Sequence, residues 1–332
     1  MALSILFFCA GLAMLYYGAE WLVKGSSSLA RSLGVTPIVI GLTVVAFGTS
    51  APELVVSVVS SIKDKSMIAV GNVVGSNICN IALVLGLAAL FQPLTGDKSV
   101  VKRDIPIMLG ISLYLLLLSL NSRLGRFEGA TLFAGIILYT LFNYYMSKRE
   151  MKRASIGAEF APHIALQEAA GEAEIEFFAS RAKQVVLIVT GIAGVVIGAE
   201  VLIDSAVKIM QVLGVSEKFI GLTIVAIGTS LPELATSVVA ALRKEMDISI
   251  GNLVGSNVFN ILSVLGVASL VRPIPIPGGF IASGLLIDYI VMLFVSFLPW
   301  LMMRKNYTII RRHGLILLAC YVGYLAYLIA KS

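Results

Sequence analysis

The chain has little of what a water-soluble protein needs. Only 13% of its 332 residues are charged, about half the share usual in a soluble domain, which excludes an ordinary cytosolic enzyme and a disordered chain alike. It has only two histidines, His163 and His313, and three cysteines, Cys9, Cys79 and Cys320. The cysteines sit in apolar segments without metal-ligand spacing, so they read as small buried hydrophobes, and no zinc or copper set is present. No basic stretch alternates with aromatics, so the net charge of +6 does not mark a nucleic-acid surface. No basic region precedes the first apolar run, which therefore reads as a retained membrane helix and not a cleaved leader. A nucleophile with a neighbouring base is also missing, which removes an intramembrane hydrolase. No enzyme activity and no cofactor are expected.

Hydrophobicity is abundant: 58% of the residues are apolar and the mean hydropathy is +0.95. Runs of about 20 apolar residues, the length that crosses a bilayer, recur throughout. Ten spans are predicted, near 2–23, 37–62, 67–91, 104–120, 127–146, 184–204, 217–242, 248–271, 280–302 and 313–330. The expected fold class is an all-α polytopic membrane protein of ten transmembrane helices. One long polar stretch, 147–183, holds six basic and six acidic residues and is read as a solvated loop between two five-helix units, 1–146 and 184–332.

The two units are copies. A shift of 180 residues aligns Gly18–Thr95 with Gly198–Pro275 without a gap, and 37 of the 78 pairs are identical. Equivalent helices are five crossings apart, an odd number, so the copies are expected to run in opposite directions through the membrane, as inverted-topology repeats. With both termini outside and 147–183 inside, the cytoplasmic loops hold 17 Lys and Arg against 8 elsewhere, the bias expected of cytoplasmic segments.

The identity is densest in two motif pairs. The second and seventh spans carry Gly48-Thr49-Ser50-Ala51-Pro52-Glu53 and Gly228-Thr229-Ser230-Leu231-Pro232-Glu233. Each puts a proline and a carboxylate near mid-membrane. The proline has no N–H for the carbonyl four residues back, so backbone oxygens around Thr49 and Thr229 are freed. Ala46, Ser50, Glu53 and Ser57 share one helical face, as do Ala226, Ser230, Glu233 and Ser237. Close packing explains the small residues, but not the two acids, since a charge at mid-bilayer costs at least about 2.5–3.5 kcal/mol. The third and eighth spans repeat Gly71-Asn72-x-x-Gly75-Ser76-Asn77-x-x-Asn80 and Gly251-Asn252-x-x-Gly255-Ser256-Asn257-x-x-Asn260. Asn72, Ser76 and Asn80 lie on one face, as do Asn252, Ser256 and Asn260. Inversion would bring Glu53 and Glu233 towards each other inside an all-oxygen cage of charge −2. Such a cage selects hard cations, and its flexibility favours Ca²⁺ over Mg²⁺.

At these residues the chain resembles the calcium/cation antiporter superfamily, specifically the sodium/calcium exchanger family of prokaryotic type. The paired motifs are similar to that family's two repeats, and the likeness extends over the ten-span plan. The resemblance implies that Glu53 and Glu233 bind Ca²⁺ and, alternately, Na⁺, with the carbonyls of Thr49 and Thr229 completing the calcium site. It implies that Ser50, Ser230, Ser76, Ser256, Ala46 and Ala226 line flanking sodium sites, and that Asn80 and Asn260 face the centre. Some relatives, potassium-dependent exchangers among them, have Asp at one of the last two positions; Asn at both argues against potassium cotransport. The expected activity is Ca²⁺/Na⁺ antiport by alternating access, electrogenic if more than two Na⁺ move per Ca²⁺. The alternative is Ca²⁺/H⁺ antiport on the same glutamates, and a cation channel is a further rival. A prokaryotic plasma membrane is the expected location. Glu20 and Glu200, near one end of the first and sixth spans, read as interfacial anchors, and Asp104 and Asp288 as acids at helix starts.

Overall fold

A computed structural model of the chain describes residues 2–159, 180–213 and 228–331. Among these, almost all of the backbone is helical. The helices are α1 (Ala2–Leu33), α2 (Pro37–Thr49), α3 (Ala51–Ile62), α4 (Ser66–Phe91), α5 (Ile105–Ser119), α6 (Arg126–Glu159), α7 (Arg181–Val212), α8 (Leu231–Leu242), α9 (Met246–Val271), α10 (Leu285–Met303) and α11 (Arg311–Lys331). Seven of them, α1, α4, α6, α7, α9, α10 and α11, are long and apolar enough to cross a membrane alone. The pair α2 and α3, bent by 47° at Ser50, makes an eighth span. At 15 and 12 residues, α5 and α8 are shorter. The expected span 217–242 is described only from Gly228 onward, because residues 214–227 lie outside the described residues.

Several helices outrun the predicted spans. The helices α1 and α7 are 32 residues each, about 48 Å at 1.5 Å per residue, against about 30 Å of hydrocarbon. The end of α1 and the start of α7 are polar yet packed: Ser26, Ser27 and Ser28 are buried, and the Ser32 hydroxyl donates to Gln184 Oε1 at 2.8 Å. Hydropathy alone ends a span where such residues begin, while tertiary contact carries the helix on.

The helices α1 and α7 cross antiparallel with their backbones almost touching. A Cβ on Gly18 would stand 2.7 Å from Val195 N, one on Gly11 2.8 Å from Leu202 N, and one on Gly25 3.0 Å from Gln184 O. The rest of the bundle surrounds α4 and α9, whose apolar stretches are mostly buried. Gly251 and Gly255 of α9 admit α2 at the same range, with Ile38 O and Leu42 Cα at 2.8 and 2.7 Å from their would-be Cβ atoms.

Short strands tie the halves at both ends. The strand β1 (Leu94–Thr95) pairs antiparallel with β4 (Thr308–Ile309), and β2 (Arg123–Leu124) with β3 (Ile274–Pro275). The first pair lies at the face from which the 147–183 stretch emerges, hereafter the linker face, where Thr36 N–H donates to Ser147 Oγ at 2.8 Å. The second lies at the far face, where Arg272 donates to Ile62 O at 2.9 Å and to Asp64. Asp104 is fully buried and held by Arg103, which also bonds Glu150 at 2.7 Å. Asp288, in the first turn of α10, accepts from Tyr324 at 3.1 Å.

Candidate functional site

Ser50 and Ser230 have near-identical backbone angles, φ −84°, ψ 7° and φ −90°, ψ 7°, and each opens a fresh helix. Pro52 and Pro232 suit this position because the first turn of a helix has no partner for their missing N–H. The same absence leaves Gly48 O and Gly228 O without their helical donor. Glu53 and Glu233 therefore fall in the first turns of α3 and α8, where the unsatisfied N–H groups favour negative charge. Both are fully buried, and they are near enough for the charge on Glu233 to act on Glu53.

Amides fix the acids from behind. Asn72 Nδ2 donates to the Glu53 carbonyl at 3.3 Å and to Ser57 Oγ at 3.0 Å. Asn252 repeats this on the Glu233 carbonyl and on Ser237 Oγ, at 3.5 and 3.0 Å. The Thr49 hydroxyl reaches Asn252 Oδ1 at 3.1 Å and Ser256 Oγ at 3.4 Å. A direct link joins the two motif copies: Ser50 Oγ donates to Glu233 Oε1 at 3.1 Å.

Where α4 crosses α9, four amide bonds exchange between the copies. Asn77 Nδ2 donates to Asn257 O and Asn257 Nδ2 to Asn77 O, each at 3.2 Å. Asn80 Nδ2 donates to Asn257 Oδ1 and Asn260 Nδ2 to Asn77 Oδ1, each at 3.1 Å. The N–H ends of Asn80 and Asn260 are thereby committed and their oxygens left over. A π-helical segment starts at each of these two residues, Asn80–Leu85 and Asn260–Leu265, a local widening often found at functional positions.

Six fully buried oxygens in these motifs have no hydrogen-bond partner among the described residues: both carboxylate oxygens of Glu53, Glu233 Oε2, Asn80 Oδ1, Asn260 Oδ1 and Ser230 Oγ. Leaving one such group unsatisfied costs about 1–3 kcal/mol, and more for a charge. Five of the six can only accept, so each calls for a donor or a cation. Carboxylate, amide and hydroxyl oxygens without nitrogen or sulfur suit a hard cation. No group of three or more His, Cys, Asp or Glu occurs among the described residues, so the formal charge comes from the two glutamates.

The remaining predicted residues are distributed around this core. Ser76 and Ser256 are buried, and Ser256 lies beside Glu233. Ala46 is buried against α9, and its carbonyl already accepts Ser50 N–H at 3.0 Å and the Thr49 hydroxyl at 3.4 Å. Thr229 is half-buried and lines a cavity of about 390 Å³ with Pro52, Val56, Glu200 and Pro232. Ala226 lies outside the described residues. Sequence reasoning assigned no part to Asn77 and Asn257, although their repetition at a 180-residue offset was the available signal. It also assigned none to Cys79, whose thiol lies beside Ser230 and Tyr321.

Residues 3–145 and 183–330 match the family described as sodium/calcium exchanger protein. Over 352 aligned residues the chain is 32% identical to sodium/calcium exchanger MaX1 of Methanosarcina acetivorans, covering 99% of each. It is 36% identical to inner membrane protein YrbG of Escherichia coli, over 89% of this chain and 87% of that one. Its fold is similar to the solved sodium-calcium exchanger NCX_Mj soaked with Na⁺ and Sr²⁺, with a TM-score of 0.79, 34% identity and 98% of each chain covered.

Proposed function

The chain belongs to the sodium/calcium exchanger family and is an all-helical integral membrane protein, and from that premise we propose that it exchanges Ca²⁺ for Na⁺ by alternating access at a site built on Glu53 and Glu233. One observation carries this reading: among the described residues, both oxygens of Glu53, one of Glu233 and the amide oxygens of Asn80 and Asn260 are buried without hydrogen-bond donors. One Ca²⁺ neutralises a −2 site, and so do two Na⁺, which makes the two loads alternatives. Ser50, Ser230, Ser76, Ser256, the carbonyls of Thr49 and Thr229, and Ala46 and Ala226 are proposed to complete the calcium and sodium positions. A further Na⁺ per cycle makes transport electrogenic.

We read the architecture as ten membrane helices in two inverted five-helix units, 1–146 and 184–332, joined by the 147–183 loop. The antiparallel α1–α7 crossing, the reciprocal Asn77–Asn257 bonds and the exchanged strand pairs support it. The Lys and Arg bias supports a cytoplasmic linker face and outer termini, in a prokaryotic plasma membrane.

The test is Ca²⁺ uptake into Na⁺-loaded proteoliposomes at equal pH on both sides. Uptake that requires internal Na⁺ is expected. Uptake driven only by a pH gradient would assign the glutamates to proton exchange, uptake indifferent to any counter-ion would indicate a channel, and no uptake under any gradient would mean a different substrate.

A further inference from the structure

The two faces of the bundle are closed to different degrees, although the motifs that build them are copies. At the linker face α1 packs along α8, with Leu22, Val23, Val239 and Ala240 in one apolar cluster. Three polar contacts then bind α1 to the turn between α8 and α9, and a fourth, within α1, braces one of the acids. Glu20 accepts from Arg243, and it pairs with Lys24 at 3.1 Å. Glu245 accepts from Ser27 at 2.9 Å and lies 3.7 Å from Arg31. The two acids are only 13% and 11% exposed, so these contacts are less screened than ordinary surface pairs.

At the far face the equivalent surfaces stand apart. The cavity of about 390 Å³ lies between α3 and α7, bounded by Ala51, Pro52 and Val56 on one side and Val196, Ala199 and Glu200 on the other. The residues 180 positions from the linker-face contacts are again complementary in charge. Glu200 and Asp204 on α7 stand for Glu20 and Lys24, and Lys63 and Lys65 of the α3–α4 turn stand for Arg243 and Glu245. All four are exposed, and none forms an ion pair among the described residues.

We infer that Glu20, Lys24, Arg243, Ser27, Arg31 and Glu245 form a charged latch that holds α1 on the α8–α9 turn and keeps the linker face shut, and that Glu200, Asp204, Lys63 and Lys65 are its counterpart, which engages when the latch opens. The geometry couples the two, because α1 and α7 meet backbone to backbone and tend to move as one pair. Carrying α1 off the α8–α9 turn would bring α7 onto the α3–α4 turn and close the cavity beside Thr229. The latch sets the resting balance between the two states. This inference rests on the alternating-access reading, but its test uses no transport and so stands whether or not the ions are correctly assigned.

The experiment measures the reaction of a polar maleimide with detergent-solubilised protein in which Cys9, Cys79 and Cys320 are Ala. One variant carries Val56→Cys in the far-face cavity, and the other carries Thr236→Cys, its fully buried equivalent on α8. The first should react and the second should be protected. Adding Glu20→Gln should speed labelling at 236 by about tenfold, the shift given by roughly 1.4 kcal/mol of lost latch, and should slow it at 56. Arg243→Gln on top of Glu20→Gln should add little, since both remove one contact. Glu200→Gln should not speed labelling at 236, which separates latch opening from general loosening. Unchanged labelling in Glu20→Gln, or an equal rise in Glu200→Gln, would overturn the latch.

Discussion

A buried carboxylate with unpartnered oxygens is tolerated when the backbone that carries it is held firmly in place. Glu53 and Glu233 sit at helix starts and their backbones are gripped by Asn72 and Asn252. Glu53→Gln and Glu233→Gln keep the shape and remove the charge. Losing one partner of a buried charge pair costs about 2–5 kcal/mol, so Ca²⁺ uptake should fall roughly 30-fold or more in either variant. The ion-free protein should melt no lower than the parent, because a buried like-charge repulsion is relieved; wild-type flux in either variant would sink the site. Both acids and the Asn80–Asn260 pair were legible in the sequence, because carboxylates and amides at equivalent places in two apolar segments carry a cost that hydrophobic packing does not repay. The hydrogen-bond partners were not legible. A helical face can be read from spacing, but that Asn77 holds Asn260 while Asn257 holds Asn80 depends on where two helices cross.

At the scale of elements, the α1–α7 contact makes the sharpest demand. Gly18 and Gly194 face each other's backbones, and a Cβ on Gly18 would meet Val195 N at 2.7 Å. Gly18→Val and Gly194→Leu should therefore lower the melting temperature in detergent, overpacking costing about 1–3 kcal/mol or more. Gly110→Ala in α5, where a Cβ meets nothing within 4 Å, should be neutral or slightly stabilising, as alanine is the better helix former. Equal losses at all three positions would show that the crossing has no special tightness. Apolar runs announced most of these helices, but not their lengths. The bend at Ser50 was readable from Pro52; the π-helical turns at Asn80 and Asn260 were not, because they answer to packing across the bundle.

At the scale of the whole molecule, charge counting governs behaviour. If, as proposed, more than two Na⁺ move per Ca²⁺ through a site of charge −2, each uncompensated charge couples to voltage at about 2.3 kcal/mol per 100 mV. In Na⁺-loaded proteoliposomes the excess positive charge leaves as Ca²⁺ enters, so an inside-positive potential assists uptake. Clamping at about 100 mV inside-positive should raise Ca²⁺ accumulation by roughly 50-fold per excess charge over a clamp at zero voltage, and indifference to voltage would mean a neutral cycle. External K⁺ should neither be required nor stimulate uptake, because Asn80 and Asn260 both lack the carboxylate that would let K⁺ travel alongside Ca²⁺. The strand pairs at the two faces bear on how the molecule is made. The chain at Leu94 waits for Ile309, roughly 200 residues further along, and at about 5–20 residues per second that is on the order of 10–40 s of synthesis. Until the second half follows, Asn77 and Asn80 have no Asn257 to bind, and the helices of the first half carry these two amides unmet. A newly inserted first half is thus an open intermediate that only its own sequel can close, and a ribosome stalled before the second half would leave it a target for quality-control proteases.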